Sequence, residues 1–378
     1  MSGALPLAGI QVVEIGQNVA APFGAMILAD LGASVVKVES LSGDDARHYG
    51  AKVGDHSSIV FEAFNRNKEA ISLDLSQESE RRWLRDFIVE NADVCIQSLR
   101  PGKAADMGLG ADDMLALAPA LIYCNLGAYG SEGPLNELPG YDPMIQAFSG
   151  IMSVTGEEDR APSRVGVPFV DLGTGMWLVI GVLAAINRRH QTGEGGVVDV
   201  SLLETALAWM TMQFGVNAAT GVVPKRAGSG IRGVAPNRAF DTADGQIMIT
   251  ALNNKLFFAL ADALGHPEWK DDPELADARI RGKNRSNVND LVQAALLTRS
   301  RDEWVELLRP AGVPCSPIQD TAEVLAHAQT QATGMIDNTG ELPVVQSALR
   351  INGERAGMRS KAPTLGEHNH KYLIQNQS

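Results

Sequence analysis

The feature that most constrains this chain is the alternation of strand and helix signals over roughly its first 130 residues. Ile10 to Ile15 reads as a strand, and Ala21 to Leu31 as a helix with Pro22 near its first turn and Gly32 as its stop. Ser34 to Glu39 is a second strand and Ile71 to Leu75 a third. Ser76 is placed to cap a helix running to Asn91, with Glu78 and Glu80 near its positive end. Val94 to Gln97 and Leu121 to Asn125 are further short apolar runs. Such a repeat is satisfied by a parallel sheet with helices on both faces, so the expected class is α/β.

From Asp171 a long apolar helix runs to Arg188-Arg189-His190, with Gly193 beyond it as a stop. A strand, Val197 to Val200, and a helix through Met212 follow. Residues 221–236 then turn rich in glycine and proline and read as a connector. Ala239 to Ile249 carries a turn at Asp244-Gly245 followed by a strand, and two or three helices lie between Asn254 and Arg309. The expected organisation is a large Rossmann-like domain over residues 1–222, a smaller inserted α+β domain over 226–322, and a return of 323–378 to the first.

Composition narrows the function. Lys+Arg number 32 against 45 Asp+Glu, a formal charge of −13, which repels a phosphate backbone and argues against nucleic acid as a partner. Cys95, Cys124 and Cys315 form no CxxC pair, so they read as reduced thiols of a cytoplasmic protein rather than a disulfide framework or a zinc site. The N-terminus lacks the pattern of a signal peptide. The apolar stretch from Met176 to Ile186 contains Gly181 and falls short of the roughly 18–20 residues of a membrane span. No membrane partner is expected.

The first strand-to-helix turn, Gly16-Gln17-Asn18-Val19-Ala20-Ala21-Pro22, has one glycine where a dinucleotide site needs GxGxxG. Glu39 then reads as an ordinary strand-end carboxylate, and a nicotinamide enzyme is the weakest candidate. GxSxG, GxxxxGK[ST] and HExxH are absent, and His368 and His370 read as solvated residues of a polar tail. The most informative stretch is Val167 to Met176, where an apolar run delivers Asp171 to the start of the most apolar helix. On pattern alone Asp171 reads as an N-cap. A second reading has Gly173 and Gly175 leave room for a ligand to reach its carboxylate. Gly140-Tyr141-Asp142-Pro143 reads as a turn with a structural tyrosine. Leu99-Arg100-Pro101-Gly102 would put a cation at the carboxyl end of the sheet, while on the motif alone Arg100 reads as a surface arginine on a loop.

Taken in order, these pieces resemble the family III CoA-transferases, which include formyl-CoA and carnitine CoA-transferases and, as a side branch, α-methylacyl-CoA racemase. The match runs from Leu7-Ala8-Gly9 through Val36-Lys37-Val38-Glu39, Asn67-Lys68, Arg100-Pro101-Gly102, Gly140-Tyr141-Asp142 and Asp171 to Leu365-Gly366-Glu367-His368. The resemblance implies that Asp171 is the nucleophile, alternately anhydride and CoA thioester. It implies CoA contacts at Leu73, Ser98, Arg100 and Met107, with Tyr129 lining the thioester channel and Asn18 and Tyr141 the substrate channel. It also implies an interlocked homodimer, and coenzyme A as a substrate moiety with no permanently bound cofactor. The partners it implies are an acyl-CoA and a carboxylic acid.

The departures are specific. Ser40 and Asp106 stand where formyl-CoA transferase places arginines, its GGGGQ loop has no counterpart, and Gly196 replaces a frequent glutamine. These leave the acceptor acid open and set formate–oxalate exchange aside. A racemase of the same fold is the runner-up, and a non-catalytic CoA-binding protein is the reading from another class. The racemase branch has a histidine at the position of Tyr141, and tyrosine, with an unperturbed pKa of about 10, is a poor base near neutrality.

Overall fold

The computed structural model describes residues 5–55, 57–338 and 342–373. They form two compact units, one of residues 5–55, 57–151, 165–215, 332–338 and 342–373, the other of 152–164 and 216–331. The second unit thus starts and ends outside the 226–322 span expected from composition, and takes in 152–164. The reason is local. Arg226 donates to the carbonyls of Glu157 and Arg160, and the Gly228 amide donates to Gly156.

The first unit is built on a six-stranded sheet of β1 (Gln11–Ile15), β2 (Ser34–Glu39), β3 (Lys68–Ser72), β4 (Val94–Gln97), β5 (Ile122–Gly127) and β6 (Gly196–Ser201), in the order β3-β2-β1-β4-β5-β6. Every pairing is parallel. Strands are added outward on one side of β1 and then, from β4, on the other, so the strand order switches between β1 and β4, and open α/β sheets bind ligands at the carboxyl side of that switch. Alternate residues feed two cores, as a sheet covered on both faces requires. Val12, Val35, Ile96 and Cys124 pack under α1 (Ala20–Asp30) and a later long helix, while Val13, Val36, Ile71 and Tyr123 pack under α2 (Glu78–Asn91).

Ser76 does not cap α2. That helix begins at Glu78 after an uncapped Gln77, because the Asp74 carboxylate takes the Ser76 amide at 3.0 Å and its hydroxyl at 2.6 Å. The third strand starts three residues before the expected Ile71, directly after Asn67, which sits at φ 62. His368 is not a solvated tail residue either. Its amide donates to Ala70 and its Nδ1 accepts the Ala70 amide, while the Asn369 side chain accepts the Ser72 amide. These side chains complete the hydrogen bonding of the edge strand β3, which would otherwise be open to a foreign strand.

After α3 (Asp142–Phe148) comes α4 (Phe169–Thr192), 24 residues long and, by length and composition, apolar enough to cross a membrane. Its Leu178, Val179, Val182 and Ile186 are nevertheless buried in the core beneath the sheet. The helix expected to end at Met212 is broken at Met210 into α5 (Leu202–Trp209) and α6 (Thr211–Thr220). In the second unit, β7 (Asn237–Asp241) and β8 (Gln246–Thr250) form an antiparallel hairpin through the expected turn, and β9 (Cys315–Pro317) joins β8. The hairpin packs Phe240, Ile247 and Ile249 against Phe257 of α7 (Asn254–Leu264), Val292 of α8 (Arg285–Leu296) and Trp304 of α9 (Arg301–Leu308).

α1 and α4 approach backbone to backbone. A Cβ on Gly175 would lie 2.7 Å from the Ala20 carbonyl oxygen, and one on Gly24 would lie 2.9 Å from the Gly175 oxygen. Gly175→Ala is therefore expected to force the helices apart and to cost roughly 1–3 kcal/mol. Denaturant midpoints measure this.

Candidate active site

The β1–α1 turn and the β4 exit meet at the switch point. Ser98 donates its amide to the Ile15 carbonyl, and its hydroxyl accepts the Gln17 amide at 3.2 Å. Asn18 is held at φ 66, its amide donating to Asp44 at 3.0 Å. No side chain caps α1, and its first turn contains no acid. The positive end of that helix is left unneutralised by its own residues.

Gly175 is one turn along α4 from Asp171 and touches the start of α1, so the first turns of the two helices lie side by side. Asp171 is not the N-cap. The helix starts two residues earlier, after Pro168, and the cap comes from outside it. The Asp142 carboxylate, itself buried, accepts the amide of Val170 at 2.8 Å and that of Asp171 at 3.4 Å. Gln146 donates to the other oxygen of Asp142, and its carbonyl accepts the Val165 amide, tying the approach to α4 to the same point. With the helix amides already served, no donor or counter-ion among the described residues engages the Asp171 carboxylate. Burial, and then the Asp142 charge, push its pKa up to about 7.

The two glycines after Asp171 are not what would make room for a ligand. The space above Gly173 is filled by Trp209, which an added Cβ would meet at 2.0 Å, and that above Gly175 by the backbone of α1. Both are packing glycines. Glu39 does mimic a ribose-binding acid in sequence, but the Arg47 guanidinium holds both its oxygens, at 2.8 and 2.6 Å, and it also accepts the Asp44 amide. Buried and paired in this way, it is not presented to a ribose.

Leu73 and Met107 come together in an open cavity of about 570 Å³ at the carboxyl ends of the strands, with Ser40, Leu75 and Leu99. Lys103, in the short helix Lys103–Asp106, lines the same cavity. Sequence reading passed over this cation, whose signal is its place directly after Arg100-Pro101-Gly102. Ser98 and Arg100 are not in that lining: the Ser98 hydroxyl accepts the Gln17 amide, and Arg100 is exposed in the turn before Lys103. Tyr129 packs edge-on against Phe148 at 5.6 Å, and Tyr141, just ahead of α3, is 55% exposed. Among the described residues no group of three His, Cys, Asp or Glu side chains is placed to hold a metal.

Comparison with known proteins places this geometry in a family. The CoA-transferase family III pattern matches residues 7–369. The acetyl-CoA:oxalate CoA-transferase of Acetobacter aceti is 35% identical over 365 residues, which cover 96% of this chain and 93% of that one. The succinyl-CoA:glutarate CoA-transferase of Mus musculus is 32% identical over 375 residues, covering 97% and 86%. A crystal structure of a CAIB/BAIF family protein from Brucella suis matches with a TM-score of 0.90 at 34% identity, covering 99% of this chain and 100% of the other. With the match spanning both units and the mixed α/β fold shared, the chain belongs to the CoA-transferase family III.

Proposed function

We propose that this enzyme transfers CoA from an acyl-CoA to a free carboxylic acid through covalent intermediates on Asp171. The observation that carries the reading is a desolvated carboxylate on the first turn of α4 that no donor engages, because Asp142 supplies the cap. The Asp171 carboxylate attacks the thioester carbonyl, and CoA thiolate leaves a mixed anhydride. The thiolate then attacks the aspartyl carbonyl, releasing the first acid and leaving an aspartyl-CoA thioester. The incoming carboxylate attacks that thioester to form a second anhydride, and the thiolate, now attacking the new acyl carbonyl, departs as product and restores Asp171. Each step exchanges one acyl bond for another, so neither metal nor ATP is consumed.

Leu73 and Met107 supply an apolar wall for the CoA adenine, with Lys103 offering positive charge to its phosphates where neutral Ser40 and acidic Asp106 do not. Arg100, Ser98 and Tyr129 remain proposed CoA contacts, and Asn18 and Tyr141 proposed channel residues. The relatives named for oxalate and glutarate support small carboxylic acids, dicarboxylates among them, as the first acceptors to try. The three unpaired thiols support a cytoplasmic enzyme.

An interlocked homodimer is part of the same proposal. Met176, Trp177, Ile180 and Leu183 of α4 are 39–55% exposed, and α6 buries none of its residues while presenting Met212 and Phe214. Apolar surface of that extent on a single chain suits a subunit interface.

Three outcomes are expected. Asp171→Ala should lower transfer by several orders of magnitude, and acyl-CoA with hydroxylamine should leave a hydroxamate at Asp171 in the wild type, read by peptide mass spectrometry. Substantial transfer by the variant would rule out the covalent route.

The second outcome concerns pH. The rate constant kcat/KM should fall below about pH 7 as Asp171 protonates, and Asp142→Asn, which keeps an oxygen for the Val170 amide but loses the charge, should move that limb down by roughly one pH unit. Because the folded carboxyl titrates above its unfolded value of about 4, its contribution to stability is present at acid pH and is lost as pH rises to about 7. Asp171→Asn should accordingly stabilise the fold at pH 8 and leave it unchanged at pH 4, measured by denaturant midpoints. An unmoved acid limb in Asp142→Asn would contradict the electrostatic account.

The third is assembly. Interlocked chains bury far more than the roughly 1,600 Å² of a standard interface, so sedimentation velocity should find a dimer even at nanomolar concentration. A monomer appearing reversibly on modest dilution would contradict interlocking.

A further inference from the structure

Two motifs of the sequence, Val36-Lys37-Val38-Glu39 and Asn67-Lys68, take no part in the chemistry above, and neither does Glu14 of β1. The fold brings their charges together in the dry interior beneath the β1–α1 turn. Glu14, Lys37, Asp44 and Lys68 are all 2% exposed or less. Glu14 accepts from Lys37 at 3.2 Å and from Lys68 at 2.7 Å, and Lys37 also pairs with Asp44 at 2.9 Å. Two carboxylates and two ammoniums thus neutralise one another without solvent.

Beyond these ion pairs, Lys68 donates to the Asn65 side chain and Asp44 accepts the Ala46 amide, and three further bonds go to one short segment. Lys37 donates to the Gly16 carbonyl at 2.8 Å, Asp44 accepts the Asn18 amide at 3.0 Å, and Lys68 donates to the Pro22 carbonyl at 2.9 Å. The cluster grips the backbone before, within and after the left-handed residue Asn18. Well-packed apolar side chains would stabilise an interior equally well, but they cannot fix carbonyls and an amide in place. The segment so fixed is the start of α1, which lies alongside the start of α4.

We propose that the Glu14–Lys37–Asp44–Lys68 cluster is a positioning unit for CoA transfer, holding the Gly16–Pro22 segment in register with Asp171; this rests on the covalent reading given above. Its residues touch no substrate. They act by keeping the β1–α1 backbone where the reacting acyl groups must pass, and small displacements of such elements cost rate out of proportion to their size. Burial pulls Lys68 down to about 8, with Glu14 and Asp44 opposing and Lys37 reinforcing the shift. The charged groups facing Lys68 are therefore Glu14 on β1, Lys37 on β2 and Asp44 in the loop after β2. Above about pH 8 the Lys68 charge goes and Glu14 keeps Lys37 alone, so kcat should decline there. The fold should not weaken with it. A lysine titrating below its unfolded value adds stability as pH rises through that window, because the unfolded chain holds the extra proton.

The test is the double variant Glu14→Gln/Lys68→Met, which keeps the cluster neutral through Lys37 and Asp44. Its kcat is expected to fall about 10- to 100-fold with KM for the acyl-CoA donor within about threefold. Hydrogen exchange at the amides of Asn18 to Ala21 should quicken about tenfold or more while those of β4 and β5 keep their rates. The alkaline limb of the wild type should vanish. If the double variant does not fold, Asp44→Asn, which is isosteric, should give the same kcat-against-KM split at about threefold. Unchanged kcat and unchanged exchange in the segment would overturn the proposal. Faster exchange with reduced kcat, combined with full transfer by Asp171→Ala, would instead overturn the nucleophile and leave the positioning role standing.

Discussion

The site depends on α1 and α4 meeting with no side chain between them. Gly24 and Gly175 bring one backbone within contact of the other, and a methyl group at either place would strike a main-chain oxygen. That contact makes the two helix starts neighbours, although they are separated by nearly 150 residues of sequence. The proposed chemistry follows from the adjacency. One start, left without a cap, offers unneutralised amides, and the other carries a carboxylate. The sheet fixes the height of both, because β1 feeds α1 directly and the same face packs beneath α4.

Each helix start is then held by buried carboxylates that lie outside the proposed chemistry. At α4 it is Asp142, reaching 28 positions along the chain to take two amides, with Gln146 keeping its second oxygen occupied. At α1 it is Asp44 and, through the two lysines, Glu14. The division of labour matters because a carboxylate that caps its own helix spends its oxygens on amides and becomes less basic. By taking over the cap, Asp142 frees Asp171 and, through its charge, raises its basicity as well.

Much of the sheet was legible because parallel, doubly covered strands write themselves as short apolar runs. β1, β2 and β4 fall where those runs lie. The strand signal failed where the alternation was spoiled, as at Lys68-Glu69, whose charges are consumed by Glu14 and Lys371. Asp171 was legible as a carboxylate at an apolar helix start, but its freedom was not. The residue that grants it sits in Tyr141-Asp142-Pro143, where local statistics favour a turn. Gly173 and Gly175 misled for a related reason, since a glycine in sequence shows that space is needed and not what fills it. Here Trp209 and α1 fill it. His368 likewise has the composition of a solvated tail, and only the unpaired edge of β3 gives it a role. Long-range partners of polar side chains are what periodicity cannot encode.

The chemistry sets a demand that acidity cannot meet. On the covalent route proposed above, the CoA thiolate must attack the aspartyl carbonyl in the first anhydride, and the substrate carbonyl across the same oxygen bridge in the second. A carboxyl group with a pKa near 7 is a better nucleophile than an ordinary acid and a poorer leaving group, so its basicity alone biases both anhydrides in the same direction. Which carbonyl the thiolate reaches is therefore a matter of placement, over a distance no longer than an anhydride. Rigid helix starts answer that demand. A carboxylate on a firmly capped first turn, next to a backbone segment gripped at three points, leaves the acyl groups and not the protein to do the moving.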